Sequence, residues 1–401
     1  MVARAWLTGF ILLWVSTGVT PYTSEDIKRL TATIFSDYDV HVRPTYNQTI
    51  PTKINAVFWM KQLEFLDMKT QAMKSLGHFS INWTDEFLQW NASDYNGIKY
   101  ITVLENRIWK PDYVINNDIT SKKKMGDGNS LVVIESSGHV LWEPGFIATT
   151  ICTVNIKYFP FDTQKCSVNI TSWMTSNASL QIYSTRGISL DAYTENGEFE
   201  ITDSWVQKTF FPMTYITNET LEGLAFWVVL KRRTTFYWLC LVSPLLVFPL
   251  LSPLSFLVPA DSGEKTTLAI TSLLSIFVFM SSIYETLPKL SNHMSLFVLL
   301  TSFQVFISLL TVCCNVIILF LHRLTSHDKI PRWLCKIVQH EKPTCNYSKV
   351  DGNAPETRKS SDTAVTTWAM VATFLGKLCM GFSLVCTTMI TMVFGALMMS
   401  R

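Results

Sequence analysis

The sequence predicts an all-β sandwich followed by an all-α bundle of four membrane-spanning helices, on three observations. Short β-branched and aromatic runs recur at 98–104, 131–135, 139–143, 151–158, 180–184 and 226–230. The turn dipeptides Asn96-Gly97, Ser137-Gly138 and Asn196-Gly197 punctuate them, a rhythm that suits a sandwich better than alternating strands and helices. Beyond Phe236, four apolar segments at 236–258, 266–287, 293–321 and 367–399 each hold the roughly 20 residues needed to cross hydrocarbon. Within the β-rich half, Cys152 and Cys166 enclose thirteen residues whose tip reads Phe159-Pro160-Phe161-Asp162.

Residues 1–20 read as a secretory signal, with Arg4, an apolar run from Ala5 to Val15, and the small residues Ser16, Thr17 and Gly18. The sandwich at 21–234 is then expected to face an oxidising, extracellular compartment. Cys152 and Cys166 are its only cysteines before residue 239, so their pairing is the default expectation. Closing a loop of that size stabilises a domain by about 3 kcal/mol in the chain-entropy model. Glycan acceptors are expected at Asn47, Asn91, Asn169, Asn177 and Asn218. Asn82 has the same pattern but falls beside Trp83 in an expected strand, a poor place for a glycan.

The first three spans occupy 235–321 and the fourth 367–399, with a loop at 322–366 between them. That loop carries eight Lys/Arg, whereas the turn after Pro288 carries only Lys289, so the loop is expected in the cytoplasm. Four crossings from an exported N-terminus then place both termini outside the plasma membrane. A net charge of +2 argues against a nucleic-acid partner, and a mean hydropathy of +0.22 suits a membrane protein. There is no GxGxxG, P-loop, HExxH or CxxC. Hence no enzyme activity, no cofactor and no metal site is expected.

Tryptophans mark the β-rich half. Trp83, Trp90 and Trp109 are expected to fill the core. Trp173 lies seven residues past Cys166, where it could either pack or present its indole to a cation. In the second span, Glu264, Thr267, Thr271, Leu274, Val278, Ser281/Ser282 and Glu285 recur at spacings of three and four, which sets them on one helical stripe. From end to end the stripe rises about 32 Å, close to a bilayer core. Acids and hydroxyls belong against water rather than lipid, so several copies of this helix around an axis would line a pore. Carboxylate rings at the mouths would concentrate cations, and rings of Leu274 and Val278 would close the path by dewetting.

With these residues in hand, the chain resembles a subunit of the pentameric Cys-loop ligand-gated ion channels. The resemblance runs from about residue 25 to the C-terminus. It rests on Trp83-Thr84-Asp85, Trp109-Lys110-Pro111-Asp112, the Cys152–Cys166 loop, and Pro259-Ala260-Asp261-Ser262-Gly263-Glu264-Lys265. The last of these resembles the nicotinic and serotonin-gated, cation-selective branch. The resemblance implies a ten-stranded sandwich, five homologous or identical subunits, a small-molecule agonist, permeant cations and a plasma membrane that could be postsynaptic. It implies pore roles for Glu264, Thr267, Thr271, Leu274, Val278 and Glu285. Phe161, Asp162, Arg233 and Pro288 match the junction that couples the sandwich to the pore.

For the agonist the resemblance points to Trp173, Asn116 and Tyr215 on one face, and His78, Leu141 and Glu143 toward a neighbour. The pattern departs from nicotinic relatives at Asn116, where an aromatic is usual, and at His78, where tryptophan is common. The capping loop past Asn196-Gly197 also lacks adjacent cysteines. Those departures leave the agonist open and motivate an alternative, a regulatory subunit that binds no agonist on its own principal face. A four-span receptor without a pore is the third reading, against which the patterned second span argues. Replacing both Glu264 and Glu285 by Lys is expected to depress cation permeability. Reversal potentials under ion substitution check this, and unchanged values would remove both carboxylates from the ion path.

Overall fold

The computed structural model describes residues 22–120, 123–213, 219–289, 294–324 and 368–399. The expected leader and all but the first three residues of the 322–366 loop lie outside them, as do Tyr215 and Asn218.

A helix, α1 (Ser24–Ile34), opens the described chain behind a Thr23/Asp26 capping box. Twelve strands follow: β1 (Thr52–Asp67), β2 (Ala72–Thr84), β3 (Tyr100–Leu104), β4 (Tyr113–Ile115), β5 (Leu131–Glu135), β6 (His139–Trp142), β7 (Gly145–Ile151), β8 (Thr163–Ser172), β9 (Leu180–Tyr183), β10 (Ile188–Ser189), β11 (Phe199–Pro212) and β12 (Thr220–Arg232). One sheet runs β10-β1-β2-β6-β5-β3, with β7 also on β2 and β9 on β1; the other runs β11-β12-β8-β4. This is the expected sandwich, with twelve strands among the described residues where the resemblance implied ten.

The two sheets meet over aromatic side chains. Phe58 and Phe79 of the large sheet pack on Phe226 of β12, with ring centroids 5.8 and 5.5 Å away. Strand β2 shows why. From Met73 to Trp83 alternate residues are buried, so Phe79 and Ile81 point inward while His78, Ser80 and Asn82 stand on the other face. Trp83 and Trp109 are buried edge to face, 5.8 Å apart, and half-buried Trp90 donates its indole N–H to Ile98 O at 2.8 Å. All three tryptophans are core, as expected.

The expected strand at 151–158 differs. Strand β7 ends at Ile151, because the Cys152 N–H turns to Gln71 O (2.8 Å). Beyond it the backbone is held by a side chain instead of a ladder: Asn155 N donates to Gln164 Oε1 (2.8 Å), and Gln164 Nε2 returns to Asn155 O (2.9 Å). Strands β1 and β11 were not anticipated, since charges at Lys53, Lys61 and Glu64 in the first and at Glu200, Asp203 and Lys208 in the second obscure their alternation.

Four helices long and apolar enough to cross a membrane follow at Thr235–Leu257, Glu264–Thr286, Leu296–Arg323 and Trp368–Met399. Polar side chains join them. Ser252 Oγ of the first lies 2.9 Å from Ser272 Oγ of the second and 3.0 Å from Ser308 Oγ of the third. Asn315 Nδ2 donates to Ser255 Oγ at 2.7 Å. In lipid, where apolar contact gives little net drive, such bonds fix which faces meet.

Gly77 of β2 is paired with Met60 of β1, and a Cβ there would meet Trp59 O at 2.4 Å. Gly77→Ala is therefore expected to destabilise the sandwich by about 1–3 kcal/mol. A thermal melt of the purified protein checks this, and an unchanged midpoint would contradict the register.

Candidate functional site

The disulfide forms between the residue just after β7 and a residue within β8, with Cα atoms 5.0 Å apart. It thereby links the two sheets at the end nearest the helices. Its loop turns on a cis Phe159-Pro160 bond and drives Phe159 into the core. The Phe159 ring packs edge-on against Tyr237 of the first long helix (5.5 Å) and Phe297 of the third (6.2 Å). Leu296 N donates to Lys157 O at 3.0 Å, which pins the loop to the start of the third helix. Phe161 meets Trp238 at 6.4 Å. Pro288 and its neighbour Leu287 are buried, and Leu287 shares one apolar core with Phe159 and Phe297. The direct contacts of the tip, among the described residues, go to the first and third helices.

Asp162 anchors the loop. Its carboxylate accepts from Arg232 Nε (2.8 Å) and Nη2 (3.2 Å), and Gln164 Nε2 also donates to it. Arg232 closes β12 and pairs further with Glu198, while its Nη1 reaches Tyr237 Oη at 3.1 Å. The guanidinium lies over Phe199, Tyr237 and Phe159, with centroids 4.5, 5.1 and 5.2 Å away. Burial opposes its charge, but the Asp162 hydrogen bonds and the nearby carboxylates outweigh burial and hold the pKa above its ordinary value. The arginine expected in this role was Arg233. That residue instead makes a surface pair with Glu195 (2.7 Å). In an extended strand adjacent residues face opposite ways, so one step exchanges core for solvent.

The agonist candidates divide between two faces. Asp112 explains one of them. Its backbone carbonyl accepts from Trp173 N (3.0 Å), and its carboxylate accepts from Met174 N (2.8 Å), Thr175 N (3.2 Å) and Ser172 Oγ (2.7 Å). The Trp-Lys-Pro-Asp motif thus holds the turn that leaves Trp173 36% exposed. Asn116 stands at the other end of the β4–β8 ladder, its N–H on Asn169 O (2.7 Å). Four ladder steps separate it from Trp173, about 13 Å, a gap its short amide does not span.

On the large sheet, His78 and Glu143 line a cleft of about 590 Å³ with Lys61 and Phe146. Leu141 lies on β6, paired with Asn82 of β2. Neither Trp173 nor Asn116 lines that cleft. Burial lowers the His78 pKa, Glu143 opposes that shift and Lys61 adds to it. Trp59, the cross-strand partner of His78, stacks on its imidazole at 5.8 Å and 7°, and Arg186 covers the indole at 5.2 Å. The sequence contained the tryptophan but nothing that paired it with His78; only the strand register does. Behind the other face, buried Glu222 accepts Ile182 N (3.0 Å) and pairs with Lys208 (2.5 Å), a second pair that was not anticipated.

In the second helix, Glu264, Thr267, Thr271, Leu274, Val278 and Glu285 are all exposed, Leu274 at 59% and Val278 at 61%. The opposite face, with Lys265, Ala269, Ser272, Ile276 and Ile283, is buried against the other helices. Among the glycan candidates, Asn47 and Asn91 are exposed and Asn177 half-buried. Asn169 sits within β8 with its amide oxygen buried, which argues against a glycan there.

The comparisons with known proteins agree with this architecture. Residues 27–234 match the neurotransmitter-gated ion-channel ligand binding domain, and residues 241–378 match the neurotransmitter-gated ion-channel transmembrane region. The chain belongs to that family. Acetylcholine receptor subunit beta-like 1 of Drosophila melanogaster is 30% identical over 356 residues, 86% of this chain and 67% of the relative. Neuronal acetylcholine receptor subunit alpha-3 of Homo sapiens is 30% identical over 358 residues, 87% of this chain and 70% of the relative. Ligand-gated ion channel 4 of Caenorhabditis elegans is 29% identical over 304 residues, 75% of this chain, and the match spans 48% of that relative's length.

Removing the Arg232 head group would leave the Asp162 carboxylate buried and unpaired. Arg232→Gln is expected to cost about 3–5 kcal/mol, and Arg233→Gln no more than about 0.5 kcal/mol. Thermal unfolding of the two variants side by side checks this. Equal losses would put the junction charge in the wrong place.

Proposed function

We propose that the chain is a subunit of a pentameric cation channel at the plasma membrane, opened by a small-molecule agonist bound between neighbouring sandwiches. One observation carries this reading. The face of the second helix that bears two carboxylates, two threonines, Leu274 and Val278 is left uncovered by its own subunit, while the opposite face is packed. Charged and hydroxyl side chains on a helix of that length are stable where water meets them, and five copies around an axis provide that water. Glu264 and Glu285 then act as cation-concentrating rings, Thr267 and Thr271 as polar lining, and Leu274 with Val278 as the closed constriction.

The split of the agonist candidates supports an intersubunit site. Trp173 belongs to one face, and the cleft of His78 and Glu143, with Leu141 on β6 of the same sheet, to another, so a site using both needs two subunits. Trp173 supplies the cation–π surface. Binding biases a closed–open equilibrium through the Cys152–Cys166 loop, with Asp162 and Arg232 holding Phe159 against the first and third helices. The proposal includes the domain division of a cleaved leader at 1–20, the sandwich at 21–234, spans at 235–321 and 367–399 and a cytoplasmic loop at 322–366, with both ends of the mature chain outside. Asn116, too short to reach toward Trp173, favours a second reading in which a partner subunit supplies the principal face.

Expression in oocytes, alone and with a relative, under a screen of amines, amino acids, protons and divalent ions tests the proposal. Agonist-evoked cation current supports it. Current only with a relative favours the second reading, and surface protein without current under every pairing overturns both. Leu274→Ser is expected to lower the agonist concentration that half-opens the channel by about tenfold, since wetting the ring by about 1.4 kcal/mol favours the open state. An unshifted dose–response at normal expression would exclude Leu274 as the gate.

A further inference from the structure

The third and fourth long helices run antiparallel, and two contacts fix their register. Thr311 Oγ1 lies 3.3 Å from Ser383 Oγ, and a Cβ on Gly376 would stand 3.9 Å from Ile318 Cδ1. Thr311, Ser383 and Ile318 are all buried, so this seam is the packed face of each helix. Between the two contacts each helix carries a cysteine. Cys314 lies three residues past Thr311 and four before Ile318, and Cys379 lies four before Ser383 and three past Gly376. Positions three and four apart share a helix face, so each cysteine stands on the seam one turn from both contacts. On antiparallel helices those two positions face one another.

Their surroundings agree with that register. Cys314 and Cys379 pack on the same buried group of Phe256, Ile318 and Ala372, and a thiol–thiol hydrogen bond links them. Both are half-buried, whereas Cys313, turned off the seam, is exposed. Ala372 and Gly376, one turn apart on the fourth helix, let the two backbones approach closely. Close approach matters because a disulfide spans Cα atoms only about 4.4–6.8 Å apart. Cys314 stands nine residues before its helix ends at Arg323, about 14 Å along the axis. At that depth in a span, a reagent that reaches the pair must dissolve in hydrocarbon.

We propose that Cys314 and Cys379 are an oxidation site, which a lipid-soluble organic hydroperoxide closes into a disulfide joining the fourth helix to the third. Sγ of one cysteine attacks the terminal peroxide oxygen, and the O–O bond breaks. The thiol proton passes to the departing alkoxide, leaving an alcohol and a sulfenic acid. Sγ of the second cysteine then attacks the sulfenic sulfur, the S–O bond breaks, and the hydroxyl leaves with the second thiol proton as water. The two sulfurs lose two electrons in all, and the peroxide takes them. The third helix is the one that Lys157 O and the Phe159 ring engage. The bridge therefore extends that connection covalently to the fourth helix.

The test uses the full chain, reduced, reconstituted in phosphatidylcholine vesicles and freed of reductant. It is treated with cumene hydroperoxide, blocked with N-ethylmaleimide and digested with trypsin without reduction. Cleavage after Lys289, Arg323 and Lys377 releases 290–323, which holds Cys313 and Cys314, and 378–401, which holds Cys379 and Cys386. Mass spectrometry is expected to find these peptides joined, lighter than their sum by two hydrogens and separated again by a phosphine. Cys314→Ser and Cys379→Ser are each expected to abolish the joined species, and Cys313→Ser and Cys386→Ser to leave it unchanged. Separate peptides in the wild type, whether blocked by maleimide or carried on to sulfinic acid, would overturn the proposal. So would a joined species that survives Cys314→Ser, or a dimer on a non-reducing denaturing gel, which would mark a bridge between chains. The readout needs neither agonist nor current, so its outcome is separate from that of the channel reading.

Discussion

The ion pair between Asp162 and Arg232 is the constraint on which the rest of the molecule depends. Both groups are almost wholly removed from water, so each is tolerable only while the other is present. Asp162 belongs to the disulfide loop, and Arg232 is the last residue of β12, three positions before the first long helix begins. Their bidentate contact therefore fixes where the sandwich ends relative to where the helices start. Phe199, Tyr237 and Phe159 surround the guanidinium with aromatic rings and keep water out. Rotation of the sheet would have to carry Asp162, Phe159 and the first helix together or break a pair that has no alternative solvation.

From that anchor, the contact with the third helix follows. Phe159 touches Phe297 because Asp162, three residues on, is held by Arg232. Phe297 in turn lies 6.1 Å from Phe394 of the fourth helix. One apolar core thus runs from between the sheets into the membrane bundle, with Val242, Leu245, Ile283, Leu287 and Leu300 as its lower part. A close-packed core transmits displacement rather than absorbing it. The disulfide matters here because it joins the two sheets at the root of this contact.

The outer face of the large sheet obeys a different constraint. Strands expose alternate residues, so the outward side chains of β1 and β2 form rows. Arg186, Trp59 and His78 make one such row, with a cation, an indole and an imidazole stacked in sequence. Trp59 stands directly across the ladder from His78, and a guanidinium covers its indole. The cleft beside this row carries Lys61 and His78 on one hand and Glu143 on the other.

Period and composition alone determined much of the protein. Four apolar runs of sufficient length need nothing beyond hydrocarbon thickness to be read as spans. The three-and-four spacing from Glu264 to Glu285 needs only helical geometry to form a stripe, and two cysteines in the β-rich half need only each other. Those features are local or sum over one element, so the chain states them directly. The identity of the anchoring arginine was not of that kind. Arg232 and Arg233 are indistinguishable by composition, and only strand pairing places the first in the core and the second in solvent. The same holds for Trp59 against His78, for Asn116 four ladder steps from Trp173, and for a loop at 152–158 that looked extended but is tied by Gln164. Each rests on register between segments far apart in sequence, which is chosen by the free energy of the whole packed sandwich and appears in no single stretch of the chain.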